Sequence, residues 1–222
     1  MNIEPIAFFR SPFRSKFGIP RQSGLVSELR GRIEMVEAYR TADSLRGLDG
    51  FDYLWVIWGF SAHESAAKHP TVRPPLLGGN ERMGVWATRS PFRPNNLGLS
   101  SLRIDSVDAE AGVINVLGAD LMDGTPIFDI KPYLPYVDSH PESRAGFTDN
   151  RQWHRLQVEM PAEAVSLLGE AEAEVLRQSL ALDPRPHYHD DDGRVYGMPF
   201  GEWDIRFRVA GDVVHVESME KK

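Results

Sequence analysis

The amino-acid sequence predicts a mainly β protein, α+β overall, with one single-sheet β-barrel and a small C-terminal α+β domain. Turn-forming residues are frequent, since the 222 residues include 19 Gly and 16 Pro. Short runs of β-branched and aromatic residues recur between these turns, whereas long helical patterns are scarce before residue 160. The length suffices for one large domain or for a main domain with an appendage, and we expect the second.

The first third of the chain has the pattern of strands separated by turns. The segment IEPIAFFRSPF begins as a short apolar strand that ends at Pro12. Residues 25–39 alternate apolar and polar side chains, which predicts a strand pair or a strand with a bulge. A turn at Gly47–Gly50 leads into FDYLWVIWGF, whose aromatic and β-branched residues predict a buried strand.

The middle third continues this strand-and-turn pattern. The polar stretch 61–83 is long enough to be a functional loop. After the arginine-rich segment 86–103, the sequence predicts a hairpin turning near Ala111–Gly112, a tight Asp123–Gly124 turn and a strand ending at Tyr133. Short strands joined by tight turns are typical of a barrel or a curled antiparallel sheet.

A domain boundary is expected in the polar stretch 139–155, which gives a barrel domain at 1–145 and a C-terminal domain at 155–222. Beyond Pro161 the spacing of apolar residues predicts one helix over 162–182. The segment 202–218 alternates strictly and predicts a hairpin with one apolar face.

The amino-acid composition indicates the cellular location that we expect for the protein. Cysteine is absent, which excludes a disulfide framework and a cysteine zinc site and favours a reducing, cytoplasmic location. The N-terminus has no basic leader followed by an apolar core, and the most apolar run is about ten residues, too short for a membrane span. We therefore expect a soluble protein with no membrane partner.

The charge of the chain is unevenly distributed. The formal net charge is −7, yet residues 1–103 carry 14 Lys+Arg against 9 Asp+Glu, and residues 104–222 carry 11 against 23. A basic half beside an acidic half is compatible with a local phosphate-binding face, although an asymmetry of this size also arises by chance.

The common nucleotide and catalytic fingerprints are missing, since no P-loop, dinucleotide glycine pattern, HExxH or serine elbow occurs. The segment ATRSPFRPNNLGLS instead places Arg89 and Arg93 four residues apart among prolines and asparagines. A rigid segment of this kind can offer a guanidinium to a carboxylate or phosphate. A surface turn whose arginines pair with the acidic half is the alternative.

Two acidic segments raise the question of a metal. Asp120, Asp123 and Asp129 lie near Lys131, but no histidine flanks them and two are better explained as turn formers. Asp129 and Lys131 are two apart on a strand and share a face, as either an ion pair or an active-site pair. The segment HYHDDD, residues 187–192, is better explained as a solvated acidic loop than as a metal site. We expect no metal.

Several of these segments are diagnostic when taken together and in order. They are FGIPRQSGLV, LRGLDGFDYLWVIWGF, PTVRPPLLGGNERMGVWATRSPFRPNNLGLS, DLMDGTPIFDIKPYLPYVDS and DPRPHY. This series strongly resembles the TsaA-like family over nearly the whole chain. The characterised bacterial members of that family are TrmO-type S-adenosylmethionine-dependent tRNA N6-methyltransferases.

The resemblance implies a TsaA-like β-barrel that binds S-adenosylmethionine, as a homodimer with the site near the subunit interface. It implies methylation of N6 of threonylcarbamoyladenosine 37, beside the anticodon of threonine tRNAs that decode ACY codons. The cofactor contacts carried over are Arg21, Gln22, Ser23, Ala62, His63, Arg89, Leu99, Leu117, Gly118, Ala119 and Asp120. Many relatives have a histidine directly after the aromatic strand, where this chain has FSAHE.

The chemistry of the reaction suggests roles for further residues. Arg89 suits the cofactor carboxylate, and Asp120 suits a hydroxyl pair or the ammonium. As a hypothesis, Asp129 accepts the proton of N6, and Lys131 either orients Asp129 or stabilises charge on the carbamoyl oxygen. Tyr133 and Asn95 are candidates for binding the modified base. Arg10, Arg14 and Lys16, together with Arg185 and Arg194 of the C-terminal domain, are expected to bind the anticodon stem-loop.

Two other functions stay open on the sequence alone. A barrel that binds S-adenosylmethionine also suits a non-enzymatic regulatory module. A metal-dependent hydrolase built on HYHDDD and the aspartates near residue 123 is the second alternative.

Overall fold

The computed structural model describes residues 2–62, 70–149, 154–185 and 193–221. Six antiparallel strands form a closed barrel in the order β1-β2-β7-β6-β3-β8. These strands are β1 (Ala7–Arg10), β2 (Arg30–Met35), β3 (Tyr53–Gly59), β6 (Leu97–Asp108), β7 (Val113–Leu117) and β8 (Pro126–Pro132). The short strands β4 (Thr71–Val72) and β5 (Met83–Gly84) pair with each other outside the barrel. The barrel expected from the sequence is therefore confirmed.

Alternation along each strand explains why the sheet closes. Ala7 and Phe9 of β1 are fully buried while Phe8 and Arg10 face outward. Leu54 and Val56 of β3 and Leu102 of β6 fill the same interior. Ala7 pairs with Ile127, and this β1–β8 pairing joins the first strand to the last. Closure leaves no strand edge exposed, so the wall is a rigid frame for the loops at its ends.

The tight turns fall where the sequence places them. Gly112 (φ 65°) lies in the hairpin between β6 and β7, and Gly124 (φ 76°) lies before β8. Positive φ values favour glycine because it has no Cβ. Between residues 25 and 39, however, only β2 forms, so the predicted strand pair is wrong, because residues 25–29 pack against the C-terminal region rather than in the sheet.

The C-terminal region is an α+β unit. Its four-stranded sheet has the order β10-β11-β12-β9, with a parallel β12–β9 pair. The strands are β9 (Gln157–Glu159), β10 (Tyr196–Phe200), β11 (Trp203–Ala210) and β12 (Val213–Lys221). Ile205, Phe207 and Val209 are fully buried along β11, which confirms the predicted apolar face of the hairpin.

The single helix predicted after Pro161 is two helices. The short helices near the barrel are α1 (Ala42–Leu45) and α2 (Pro135–Asp138), and those of the C-terminal region are α3 (Ala162–Leu168) and α4 (Glu170–Ala181). Gly169 (φ 80°) separates α3 from α4, so the apolar spacing continues across a break that glycine permits. Within the described residues, no helix combines the length and apolar character needed to cross a membrane.

Two hydrophobic cores are present, and one of them joins the two parts of the chain. The barrel interior forms the first. The second contains the C-terminal sheet and α4, and also Phe13, Val26 and Leu29 from the loop between β1 and β2. The ring centroids of Phe13 and Phe200 are 5.4 Å apart, and Gly201 donates its N–H to the carbonyl of Pro12. The C-terminal region is thus packed onto a barrel loop.

Candidate functional site

Two chain segments lie side by side at one end of the barrel. Gly24 donates its N–H to the carbonyl of Gly118 at 2.8 Å, and Gly118 donates to Leu29 at 2.9 Å. Gly118 has φ 75°, and a Cβ there would lie 3.4 Å from the Gly24 backbone. Gly24 (φ 82°) and Gly118 both have positive φ values, which favour glycine, and their hydrogen bond brings the turn at 21–24 beside residues 117–120. The resemblance assigns residues 21–23 and 117–120 to the cofactor site.

The carboxylate of Asp120 is the centre of a hydrogen-bonded network at this end. Ser100 Oγ donates to Asp120 Oδ1 at 2.6 Å, and Trp58 Nε1 donates to Ser100 Oγ at 3.0 Å. Burial is the largest cause that raises the pKa of Asp120, while Ser100, the Ser23 main chain and the charge of Arg89 oppose it. The result is a desolvated carboxylate that is fixed in orientation.

The position of the Trp58 indole requires a glycine at residue 98. Gly98 is the cross-strand partner of Trp58, and a Cβ on Gly98 would lie 2.3 Å from the indole ring. The ring therefore packs flat over Gly98, which brings Nε1 to Ser100 two residues further along the same strand. Trp58 and Ser100 are buried, so this arrangement is part of the barrel interior.

Two of the three arginines in the arginine-rich segment 86–103 have different partners. Arg89 is exposed and donates from Nη1 to Gln22 Oε1 at 2.6 Å, which brings it to the 21–24 turn. Arg93 donates to the carbonyls of Thr88 at 2.7 Å and Val85 at 3.3 Å, and its guanidinium lies over the Trp86 ring. Arg93 thus holds the loop together, whereas Arg89 lies at the rim beside Asp120.

The three predicted catalytic residues, Asp129, Lys131 and Tyr133, lie on the outer face of the barrel wall. Lys131 Nζ and Asp129 Oδ2 form an ion pair at 2.9 Å on the outer face of β8. Ile57 pairs with both Asp129 and Leu99, so these three side chains share that face. Leu99 is 56% exposed. The predicted cofactor residue Leu99 and the predicted catalytic Asp129 are thus two strand spacings apart, about 10 Å.

Tyr133 belongs to an aromatic cluster on the same outer face. Its ring centroid is 5.5 Å from that of Trp55 and 6.1 Å from that of Tyr53. Trp55 Nε1 donates to Asp138 Oδ2 at 3.0 Å, which fixes the indole. Trp55 is also the cross-strand partner of Lys131, so the aromatic cluster adjoins the ion pair.

The predicted contacts Arg21 and Arg185 meet in the C-terminal region. Arg21 Nη2 donates to the Asp183 carbonyl at 3.0 Å, and burial lowers the pKa of Arg21 against the charge of Asp183. Arg185 binds the Asp183 carboxylate with Nε at 2.9 Å and Nη2 at 3.0 Å, and its side chain is only 13% exposed. Burial raises the pKa of Asp183, but the hydrogen bonds and charge of Arg185 bring it below its usual value. These contacts make both arginines part of the packing between the 21–24 turn and the segment after α4.

Four further predicted residues, Lys16, Ala62, Asn95 and Arg194, are exposed. Arg194 is exposed and lies over the Tyr196 ring at 5.4 Å, and Lys16 is exposed. Asn95 lines a cleft of about 330 Å³ with Phe60 and Leu97, and Ala62 is exposed beyond β3. His63 lies outside the described residues.

The aspartates weighed as metal ligands have separate partners. Asp123 Oδ1 accepts from the Ser11 N–H at 3.1 Å, Asp120 is bound by Ser100 and Asp129 by Lys131. Across ranges 2–62, 70–149, 154–185 and 193–221, no three His, Asp or Glu side chains are grouped as metal ligands. Residues 187–192 lie outside the described residues.

Sequence reasoning missed Trp58 and Ser100. A signal for Ser100 exists, because it occupies an inward position on β6 between Gly98 and Leu102, where alternation demands an apolar residue. A polar residue at such a position indicates a buried hydrogen-bonded group. Its partners Trp58 and Asp120 lie 42 and 20 residues away, which no local pattern reveals.

The end of the barrel can therefore bind a small ligand that carries both charges. Arg89 offers a guanidinium and Asp120 offers a desolvated carboxylate, and the turns at 21–24 and 117–120 are hydrogen-bonded to each other beside them. Fold and site define the class of closed-barrel proteins that bind a small polar ligand through end loops, unlike the doubly wound nucleotide-binding folds.

Comparison with known proteins identifies the family within that class. The profile described as the tRNA-methyltransferase O N-terminal domain matches residues 8–139, and that of the TrmO C-terminal domain matches residues 154–222. The chain belongs to the tRNA-methyltransferase O family, which confirms the resemblance seen in the sequence.

Curated relatives carry a consistent description. The tRNA (adenine(37)-N6)-methyltransferase of Escherichia coli K12 is 39% identical, with 99% of this chain and 97% of the relative covered. A protein of the same name from Eikenella corrodens is 43% identical over 76% of this chain and 97% of its own length. The crystal structure of TrmO from Pseudomonas aeruginosa superposes with a TM-score of 0.81 at 30% identity, covering 99% of this chain and 98% of that one.

Proposed function

We propose that this protein is an S-adenosylmethionine-dependent tRNA methyltransferase that acts on N6 of adenosine 37. We further propose that the nucleoside methylated is threonylcarbamoyladenosine in threonine tRNA, and that the protein acts in the cytoplasm. The observation that carries the proposal is the assembly of Gln22, Ser23, Arg89 and Asp120 at one barrel end, in a chain that matches the family over residues 8–139 and 154–222.

The donor set at the barrel end fits S-adenosylmethionine. When bound, this group supplies an activated methyl on a sulfonium. Arg89 suits its carboxylate, and Asp120 suits its ammonium or its ribose hydroxyls, because the carboxylate of Asp120 is desolvated and fixed. In our proposal, main-chain groups near Leu117 and Leu99 contact the adenine.

The outer face of β8 supplies the groups for the acceptor nitrogen. N6 of a carbamoylated adenine is a poor nucleophile until its proton is accepted. Asp129 accepts that proton in our proposal, and Lys131 holds the Asp129 carboxylate in place through the 2.9 Å ion pair. Tyr133, supported by Trp55, packs against the base, since aromatic faces stack on splayed-out RNA bases.

A homodimer that closes over this face is also part of the proposal. Leu99 is 56% exposed and Tyr136 is 83% exposed, and the row Leu99–Ile57–Asp129 runs across the outer wall. A second subunit covering Leu99 also shields Asp129 from water. Light scattering at micromolar protein concentration gives the oligomeric state directly.

The catalytic assignment is tested with Asp129→Asn. We expect the turnover number on threonylcarbamoyl-modified tRNA to fall about 10²–10⁴-fold, because a positioned proton acceptor is lost. The affinity for S-adenosylmethionine should stay within about twofold, since Asp129 is paired with Lys131 and is not among the expected cofactor contacts. Nucleoside mass spectrometry measures the methylated product, and calorimetry measures the affinity.

Asp49→Asn is the matched control, because Asp49 is an exposed carboxylate in the turn before β3. It should behave as the wild type does. Unchanged turnover in Asp129→Asn would reject the role of Asp129. A wild-type protein that binds S-adenosylmethionine tightly but methylates no tRNA would instead indicate a regulatory module.

A further inference from the structure

Four arginines line one open cleft on the barrel. The cleft has a volume of about 570 Å³. Arg10 of β1 and Arg32 of β2 are direct cross-strand partners, and Arg30 lies two residues before Arg32 on the same face of β2. Arg14 reaches the cleft from the loop after β1. We name this feature, formed by Arg10, Arg14, Arg30 and Arg32, the arginine cleft.

The carboxylates around the cleft leave the arginines in contact with solvent. Glu34 binds Arg10 at 2.8 Å and Arg32 at 3.2 Å, and Asp105 binds Arg30 at 3.3 Å. Asp123 also lines the cleft. The charge of Arg14 acts on Glu202. The side chains of Arg10, Arg30 and Arg32 remain 46%, 78% and 58% exposed.

The clustering of arginines on β1 and β2 does not stabilise the sheet. Like charges directly opposite each other on neighbouring strands repel, and here Glu34 must serve both Arg10 and Arg32. Exposed ion pairs contribute little to stability, so a competing anion displaces them readily. Guanidinium groups are matched in shape to phosphate oxygens, which bind them in a bidentate manner.

The cleft adjoins the candidate cofactor site. Arg30 pairs in register with Leu117, the residue before the Gly118 turn that leads to Asp120. From there the arginines run outward along β2 to Arg32 and across to Arg10. A polyanion that has one nucleotide near the barrel end can therefore extend its backbone into the cleft.

We propose that the arginine cleft binds consecutive phosphates of the substrate RNA backbone next to the methylated nucleotide. The inference rests on the proposed function, since it takes the RNA to be tRNA. Arg30 and Arg32 were not among the RNA contacts expected from the sequence, whereas Arg10 and Arg14 were. The phosphate contacts position the strand without reading its bases.

The test uses the double variant Arg30→Gln/Arg32→Gln in the full-length protein. We expect the Kd for tRNA, and the KM if turnover is measured, to rise about tenfold at roughly 0.1 M salt, because two counterion-releasing contacts are lost. The plot of log Kd against log salt concentration should become shallower by about 1.5. The Kd for S-adenosylmethionine, measured by calorimetry, separates this loss from damage to the cofactor site.

The matched control is Arg46→Gln/Arg177→Gln. These arginines are also exposed and paired with carboxylates, namely Asp43 and Glu174, but they lie outside the cleft. The control removes the same charge and should leave the Kd for tRNA within about twofold. If it weakens binding as much as the cleft variant does, net charge alone is responsible and the proposal is overturned.

Glu34→Gln provides a test with the opposite sign. It releases Arg10 and Arg32 from their shared carboxylate, so tRNA should bind about threefold more tightly. A gain of affinity excludes misfolding as the cause of the effects, and weaker or unchanged binding contradicts the proposal. Potassium phosphate should reduce tRNA binding more than potassium chloride of equal ionic strength, because free phosphate competes for the same guanidinium groups. This difference between the two salts should shrink in Arg30→Gln/Arg32→Gln, and an undiminished difference in that variant contradicts the proposal.

These outcomes are separable from failure of the proposed function. RNA binding is measured without turnover, so a protein that never methylates tRNA still reports on the cleft. Conversely, methylation with an unchanged tRNA affinity in Arg30→Gln/Arg32→Gln retains the function and removes the cleft from it.

Discussion

Ser100→Ala tests the hydrogen-bonded network that holds Asp120. The substitution removes a donor 2.6 Å from the Asp120 carboxylate and the acceptor of the Trp58 N–H at 3.0 Å. A hydrogen bond to a charged group contributes about 1.5–3 kcal/mol, and a buried unsatisfied N–H costs about 1–3 kcal/mol. Partial relaxation offsets some of this, so we expect the free energy of unfolding to fall by about 2–4 kcal/mol.

The same change should weaken the binding of S-adenosylmethionine. Without the hydroxyl, Oδ1 of Asp120 loses the contact that orients it, and the ionised form loses a stabilising donor. We expect the Kd to rise about 10–100-fold, which corresponds to about 1.4–2.8 kcal/mol. Urea unfolding gives the stability, and calorimetry gives the Kd.

Two matched variants make the result interpretable. Ser101→Ala removes a hydroxyl from the next residue, which pairs with Trp55 on the outer face, and should change neither quantity by more than about 0.5 kcal/mol. Ser100→Thr retains the hydroxyl and should restore most of the affinity. In an Asp120→Asn background, Ser100→Ala should have little further effect on the Kd. A wild-type Kd in Ser100→Ala, or an undiminished effect in that background, would refute the reasoning.

Two further predictions concern pH and the second core. Because burial raises the pKa of Asp120 above its usual 3.8, this group favours folding below that pH and loses the contribution as pH rises through the raised pKa. Binding that needs the ionised carboxylate should strengthen as the pH rises through the raised pKa of Asp120, and Asp120→Asn should remove this pH dependence of the Kd. Phe13→Ala should lower the free energy of unfolding by about 3–5 kcal/mol in urea, since Phe13 is fully buried against Phe200; a loss below about 1 kcal/mol would contradict the shared core.

The barrel was predictable because its signals are local. Alternation places Phe9, Leu54 and Leu102 on one side of their strands, and the turns at Gly112 and Gly124 follow from residue type. The break at Gly169 was missed because apolar spacing carries across it. A single glycine within a helical pattern is compatible with either a continuous helix or two short ones.

The second core was hidden for a different reason. Phe13, Val26 and Leu29 belong to the loop between β1 and β2, yet they pack with residues after position 155. No spacing rule links segments so far apart in the chain. One practical consequence is that deleting residues 160–222 would expose this apolar loop, so point substitutions are the better test of RNA binding by the C-terminal region.

Only part of the candidate site could be predicted from the sequence. The order of the motifs assigned Gln22, Ser23, Arg89 and Asp120 to one cofactor site. In the structure these four residues lie together at the barrel end. Arg185 was expected to contact RNA. In the structure its guanidinium is bound to Asp183 and its side chain is mostly buried. Charge pattern alone does not distinguish an arginine that serves the fold from one that is available to a phosphate.

Strand β6 links the residues that the proposal assigns to the cofactor with those that it assigns to the acceptor nitrogen. Consecutive residues of β6 face opposite ways: Ser100 points inward to Asp120, and Leu99 points outward on the row that contains Ile57 and Asp129. A slip of one residue in the pairing of β6 would exchange these faces. In-line methyl transfer depends on aligning donor and acceptor, and in the proposed enzyme the closed wall holds both groups of residues on neighbouring strands. Through Ser100 and Trp58, the loop that carries Asp120 is attached to the barrel interior.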